Sequence, residues 1–461
     1  MPIIASFIVP HPPLIIPEIG RGQESKIQKT ILAYDNIAKQ IAEIKPDIII
    51  ITSPHSTVYS DYIHISPGEK AKGNFKQFGY ENISFEVEYS TDLVSEISQQ
   101  AEKEAIAAGT LGEKDRDLDH GVMVPLYFIN KYYEDYKIAR ISISGLSLLE
   151  HYRFGKCIAK VAEESNEKIV FIGSGDLSHR LKDEGPYGFR EEGPIFDRKI
   201  TNAMKTGNFI DFLKFDEDFC QAAGECGLRP FTIMAGAMDG KNVRSKLHSY
   251  EGPFGVGYAI AEFYLGQDNE SRRFDQLFIN NERERVEALK EEEDEYVRLA
   301  RQTLESYVIN HKKIKKPDNL SKELTERSAG VFVSLKLDGN LRGCIGTISP
   351  TTDSIADEII RNAISAGTED PRFYPVDEEE LPRLEYSVDV LGEAEKIQSI
   401  DELDPERYGV IVTKGHRRGL LLPKLEGVNS AEEQVSIALE KAGISPKENY
   451  TLERFEVVRH K

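Results

Sequence analysis

Four apolar runs in the amino-terminal part of the chain each stop abruptly in polar loop residues, and no other feature constrains the fold so tightly. Ile3 to Val9 runs into Pro10-His11-Pro12-Pro13, and Asp47 to Ile51 into Thr52-Ser53-Pro54-His55-Ser56. Ile138 to Ser144 ends at Gly145, and Ile169 to Ile172 runs into Gly173-Ser174-Gly175-Asp176-Leu177-Ser178-His179. An unbroken apolar strand, unlike an alternating one, is buried on both faces, which predicts a mixed or mostly parallel sheet flanked by helices. Between the first two runs, Ile27, Ile31, Ile37, Ile41 and Ile44 recur at near-helical spacing, the amphipathic pattern of a crossover helix over 24–44. Strand, helix and strand in this order give an α/β domain.

That domain is expected to close with the run Gly257 to Leu265 and to occupy residues 1–266. Residues 267–289 are strongly charged and read as a solvated linker helix. A smaller α+β domain then fills residues 290–461. Its pattern predicts a helix over 296–310, strands over 331–337 and 341–348 joined by an Asp338-Gly339 turn, a helix over 352–366, and strands over 384–391 and 409–413. A chain of 461 residues suits more than one domain at roughly 150 residues each.

Charge and cysteine usage narrow the function classes. With 58 basic against 78 acidic side chains, the formal net charge is -20, the opposite of a nucleic-acid footprint. Four cysteines with no CxxC pair are no disulfide framework and fit a reducing cytosol. No run approaches the roughly 20 apolar residues of a membrane span. The start, MPIIASFIVPHPP, lacks a basic leader and a small-residue cleavage site. A cytoplasmic protein without nucleic-acid or membrane partners is expected.

Three of the four runs deliver a histidine just past the strand: His11, His55 and His179. In open α/β sheets ligands gather at that edge, so residues distant in sequence can converge there. His120, in Asp117-Leu118-Asp119-His120-Gly121, precedes an apolar helix over 122–129, and Glu225, in Gly224-Glu225-Cys226-Gly227, opens another. Two neutral imidazoles and a carboxylate leave open positions on an ion, as in the facial site of non-haem iron(II) oxygenases. A zinc hydrolase accepts the same donors, and the residue types alone do not separate the two.

VPHPP, SPHS, LDHG, GSGDLSH and ECG, in this order, resemble the motifs of class III extradiol ring-cleavage dioxygenases (LigB-like) across residues 1–265. The related MEMO proteins (mediators of ErbB-driven motility) share that fold. The resemblance implies His11, His55 and Glu225 as ligands of Fe(II), with His179 as the acid–base histidine and His120 contacting substrate. It further implies a catechol-like aromatic and O2 as substrates, the ring opening beside the two hydroxyl carbons. A histidine near neutral pKa can take a catechol proton and return it. Asp119 and Asp176 either orient a neighbouring imidazole or cap helices. In the MEMO branch a cysteine replaces the carboxylate ligand, and ring cleavage is not the accepted activity. Here Glu225 and Cys226 are adjacent; on a helix neighbouring side chains diverge by about 100°, so one faces the metal and the other packs. Glu225 is taken as the ligand, since it suits Fe(II); Cys226 would suit copper(I).

In the second domain, Leu341-Arg342-Gly343-Cys344-Ile345-Gly346 carries two glycines, which in a strand mark a bulge or a close approach. Cys344 reads as a small core residue ahead of a nucleophile. LRGCIG, DPRF at 370–373 and GLLLP at 419–423 resemble the AMMECR family domain over residues 290–461. That family has two subdomains and no agreed activity, and Arg342, Cys344, Asp370 and Arg372 are where a cleft is expected. Such domains can accompany a MEMO-like protein and a radical-SAM partner; this chain has no CxxxCxxC motif and is not itself the radical enzyme. Three functions stand: an iron(II) dioxygenase, a MEMO-like metal- or peptide-binding module without turnover, and a protein whose principal chemistry lies in its second domain.

Overall fold

Valine, isoleucine and phenylalanine crowd the apolar runs because those runs become the middle of one sheet. In a computed structural model that describes residues 3–114, 117–425, 428 and 430–461, the sheet has six strands: β1 (Ile3–Val9), β2 (Ile48–Thr52), β3 (Lys137–Ile141), β4 (Ile169–Ser174), β5 (Lys241–Glu251) and β6 (Tyr258–Asp268). Their spatial order is β3-β2-β4-β1-β6-β5. The first four are mutually parallel, and β6 and β5 add antiparallel strands at one side. The mixed sheet expected from the unbroken runs is therefore present. Every side chain from Ile48 to Ile51 is fully buried.

One face of the sheet packs under helices Gln28–Ile44 and His120–Ile129, which share a core with Phe7, Val9, Ile49, Ile51, Val170 and Ile172. The opposite face is covered by helices Leu148–Glu164 and Leu228–Gly236. These two cross with almost no space between them. A Cβ on Gly236 would stand 1.9 Å from the Tyr152 carbonyl oxygen, so only glycine permits this approach. A hairpin, Lys70–Phe75 and Tyr80–Glu88, packs against the start of the His120–Ile129 helix: a Cβ on Gly73 would meet Leu118 and Met123 at 2.7 Å.

The chain divides into two compact units, residues 1–278 and 279–461, and the division falls inside helix Phe274–Glu292. In the second unit, strands Asn340–Gly346, Val331–Leu337, Leu384–Leu391 and Val457–His460 form an antiparallel sheet in that order. Helices Glu295–Asn310 and Ile355–Thr368 build its core on one face. Asp338 and Gly339 have φ of 53° and 85°, the doubly positive pair that a two-residue hairpin turn requires. A second antiparallel sheet, Glu395–Ile397, Thr451–Phe455, Gly409–Lys414 and Arg417–Leu421, carries helix Ala431–Ala442. Among the described residues no helix is long and apolar enough to cross a membrane.

Candidate metal centre

Strand order explains why the histidines meet. β4 lies between β1 and β2, with Val9 opposite Ser174 and Thr52 opposite Gly173. Parallel neighbours end at the same edge, so the loops carrying His11, His55 and His179 leave the sheet side by side. The His55 Nε2 lies 2.9 Å from the His11 Nε2. His120, at the first turn of its helix, brings its ring to 4.1 Å from that of His55 and 5.3 Å from that of His11, centroid to centroid. His179 packs on Tyr187 at 5.2 Å and is close enough to His11 and His55 for their charges to couple.

The third candidate donor beside these two histidines is Cys226. Its Sγ is 3.7 Å from the His11 Nε2, and one ligand atom from each of His11, His55 and Cys226 lies within 4.8 Å of the others, a set that could hold a metal ion. Glu225, expected to face the histidines, is not brought into that set. Its carboxylate accepts the Leu228 backbone N–H at 2.7 Å, at the free amino end of helix Leu228–Gly236, where a negative group satisfies an orphan donor. Residues 225–227 precede the helix, so the helical divergence assumed from sequence does not apply to them. Closed in by its surroundings, the Glu225 carboxyl is pushed up to about 7.

Hydrogen bonding fixes the state of His11. The Ser174 hydroxyl donates to the Gly121 carbonyl at 2.5 Å, so towards His11 Nδ1, 3.0 Å away, it can only accept. The proton of a neutral His11 therefore sits on Nδ1, which leaves the Nε2 lone pair aimed at His55 and Cys226. Burial, with the neighbouring imidazoles, holds His11 well below its ordinary pKa. Burial also lowers His120 and His179 to about 4. These rings are neutral at pH 7, the state in which an imidazole can bind a metal or accept a proton. The Asp176 backbone N–H points at the Cys226 sulfur at 3.3 Å, a donor that favours a thiolate, while burial, with the nearby Asp176 and Glu225 carboxylates, pushes the thiol up. A cation bound at this set would supply the compensation that burial withholds.

Neither aspartate has the alternatives expected of it. Asp176 is buried and accepts the His11 backbone N–H at 2.8 Å, which ties the β4 loop to the β1 loop. Asp119 occupies the cap position of helix His120–Ile129 without a side-chain cap bond. Its two oxygens instead accept the Ser53 and Ser56 hydroxyls at 2.6 and 2.7 Å, and the fully buried Arg140 guanidinium stands 3.8 Å away. Asp119 thus clamps the His55 loop to the His120 helix. Ser53, Ser56 and Ser174 escaped the sequence reading; their only signal was a hydroxyl at or within four residues of a strand end.

The family model described as the catalytic LigB subunit of aromatic ring-opening dioxygenase matches residues 5–261. The chain belongs to the LigB family. Behind its LigB domain, the AMMECR1 model matches residues 297–460. A protein of Clostridium acetobutylicum is 47% identical over 463 residues, covering 99% of this chain and 98% of its own length. One of Thermotoga maritima is 50% identical over 171 residues, 37% of this chain and 98% of that protein. Among solved structures, an uncharacterized protein of Pyrococcus horikoshii shares 34% identity with a TM-score of 0.34, over 36% of this chain and 88% of that one. An uncharacterized protein of Escherichia coli K12 shares 13% identity with a TM-score of 0.35, over 56% and 99%. The LigB domain carries the four histidines at one edge of its sheet, and Cys226 beside them. Histidine nitrogens and a thiolate suit borderline and soft ions such as zinc, iron and copper.

Proposed function

We propose that the LigB domain is a metal-dependent oxidoreductase site in the cytosol. It holds a redox-active first-row ion, Fe(II) or copper, on His11, His55 and Cys226, and takes a catechol-like chelating aromatic together with O2. The observation that carries this reading is the convergence of three donor atoms beside two further neutral imidazoles. His11 is buried and Cys226 half-buried, whereas His55 is exposed, so the site opens on the His55 side.

When bound, the ion supplies a point where a chelating substrate and oxygen meet in one site. The protein's part is proton management and positioning. His179 and His120, both neutral at pH 7, start as proton acceptors for the substrate hydroxyls and can return a proton as the product forms. Asp119, through Ser53 and Ser56, keeps the His55 loop and His120 in register. Ser174 keeps the His11 tautomer.

Cys226 in place of a carboxylate favours a second reading. In it the LigB domain is a MEMO-like module that binds metal without turnover and works beside a radical-SAM protein. One experiment separates the two: anaerobic loading with Fe(II) or Cu(I), then oxygen uptake with a panel of small catechols. Oxygen consumption with a yellow ring-opened product supports the dioxygenase. Tight metal binding with no oxygen uptake supports the module.

A further inference from the structure

Every peptide N–H from Asp176 to His179, the segment that leads from β4 to the His179 ring, has an acceptor. Leu177 donates to the Gly257 carbonyl at 2.8 Å, and His179 to the Gly224 carbonyl at 3.1 Å. Asp176 donates to the Cys226 sulfur at 3.3 Å, and Cys226 returns its own N–H to the Asp176 carbonyl at 3.4 Å. The Ser178 hydroxyl adds a bond to the Ala223 carbonyl at 2.7 Å. The turn that presents Cys226 and the loop that presents His179 are thus laced along one seam, and what places one places the other.

The remaining donor, the Ser178 N–H, goes to a side chain, the Asp197 Oδ1 at 2.9 Å. Asp197 lies on helix Glu192–Thr206 and is 1% exposed. Its Oδ2 accepts the Tyr250 hydroxyl of β5 at 2.7 Å. A Cβ on Gly257 would stand 2.1 Å from that same oxygen, so the carboxylate presses against the chain just before β6, where only glycine leaves room. Burial pushes Asp197 up to about 6, which leaves it mostly ionised at pH 7. Its hydrogen bonds come from a peptide N–H and a phenol, not from a cation. Bonds to an ionised acceptor are the shorter and stronger kind, so Asp197 is a firm anchor for Ser178.

We infer that Asp197 is a positioning residue of the metal centre: through Ser178 it fixes the seam, and so sets where the Cys226 sulfur and the His179 ring stand relative to His11 and His55. The inference rests on the reading of Cys226 as a metal donor. Asp197 acts through Ser178 and not on the ion. With its carboxylate removed, the buried Ser178 N–H has no acceptor and must turn towards another. The seam then shifts as a unit, while the His55 loop, held by Asp119 through Ser53 and Ser56, stays in place.

The test uses the full chain loaded with Co(II), whose thiolate-to-cobalt charge-transfer absorption reports a cysteine ligand; loss of the band in Cys226→Ala assigns it. Asp197→Ala is expected to weaken cobalt binding about tenfold or more and to lower the band per bound cobalt. Asp197→Asn keeps an oxygen for Ser178 and an amide that can pair with Tyr250, so it is expected to retain both. Tyr250→Phe removes only the outer hydrogen bond, from an exposed ring. It is expected to lower the band less than alanine does, and it carries the test alone if Asp197→Ala does not fold. His151→Asn, a buried change in the same unit whose ring bonds Ser144 and Ser147, is expected to lose stability with the band intact. A band per cobalt unchanged in every folded Asp197 and Tyr250 variant overturns the inference and leaves Cys226 a ligand. So does an Asp197→Asn protein that loses the band as far as alanine. A parent protein that binds cobalt without the band overturns the thiolate donor, and the inference with it.

Discussion

Cys226 and Cys344 are both half-buried free thiols next to a glycine, one in each unit of the chain, yet their surroundings prescribe different chemistry. Around Cys226 stand imidazole nitrogens, with the His11 lone pair 3.7 Å from the sulfur. These groups lie close enough together to share a cation. Around Cys344 the charges have already found partners. The Ser334 hydroxyl donates to its sulfur at 3.2 Å, and its own backbone N–H is taken by Asp370 at 2.9 Å. Asp370 also pairs with Arg372, which holds its carboxyl down at about 2, and Asp389 forms a two-point pair with Arg459. The glycines flanking Cys344 are packing devices: a Cβ on Gly343 would stand 2.1 Å from the Ala366 carbonyl oxygen, and one on Gly346 would be 2.2 Å from the Phe332 ring. A cysteine becomes a metal-ligand candidate through the ligand atoms gathered around it, not through its exposure.

The contrast breaks most directly on metal content. Cys226→Ala is expected to lower metal affinity at least about 100-fold, beyond what loss of an outer-shell partner costs, while Cys344→Ala keeps stoichiometric metal. Elemental analysis of both variants after equal loading decides it. Equal metal in the two proteins would remove Cys226 from the donor set. His55→Ala should match Cys226→Ala, with the chain still folded by circular dichroism.

Gly343→Ala probes the other side of the comparison. Overpacking against a backbone carbonyl has no flexible neighbour to yield, so a loss of about 2–4 kcal/mol is expected in the second unit, with metal binding by the first unit unchanged. Urea unfolding of the variant measures it. A loss below about 0.5 kcal/mol would mean that the strand has room, and that the glycine serves something other than packing.

A third test separates histidines within the first unit. His151 is fully buried; its Nδ1–H donates to the Ser147 carbonyl at 2.8 Å and its Nε2 accepts the Ser144 N–H at 3.1 Å. Both nitrogens are used, so it is a structural ring with nothing left for a metal. Burial lowers its pKa to about 3. Below about pH 6.5 the unfolded chain takes up a proton that folded His151 refuses, so stability held above that pH is lost towards pH 3 at about 1.4 kcal/mol per unit. His151→Asn cannot titrate. Its stability deficit against the parent should shrink by about 2 kcal/mol between about pH 7.5 and about pH 5. A pH-independent deficit would show that the ring is not held neutral.

Much of this was legible in the sequence because strand ends are. Unbroken isoleucine runs pointed to the sheet, and histidines two to five residues beyond three of its strands pointed to its edge. The Asp338-Gly339 turn was readable because doubly positive φ selects those residues. Which of two neighbouring side chains stands with the histidines was not readable. Glu225 and Cys226 are adjacent, and which one faces the histidines depends on the left-handed turn at Gly224 (φ 63°) and on where the next helix begins. A sharper signal was present in the three-residue spacing from Glu225 to Leu228, which suits an acidic residue satisfying a helix amino terminus. The serine clamps were invisible for another reason. They depend on cross-strand register, such as Val9 opposite Ser174, which no local pattern encodes.

The smallest expected effect tests that spacing. Glu225→Gln keeps an oxygen that can accept the Leu228 N–H, so it should cost little stability and leave metal affinity close to the parent's. Glu225→Ala removes the acceptor and leaves a helix-end donor unmet, a loss of about 1 kcal/mol. Because the turn that aims Cys226 is then less firmly held, metal affinity should weaken modestly as well, by less than Cys226→Ala produces. Parallel thermal melts and metal titrations of the two variants resolve the roles. If Glu225→Gln alone abolished metal binding while melting like the parent, the carboxylate would be a ligand after all, and the thiol the group that packs.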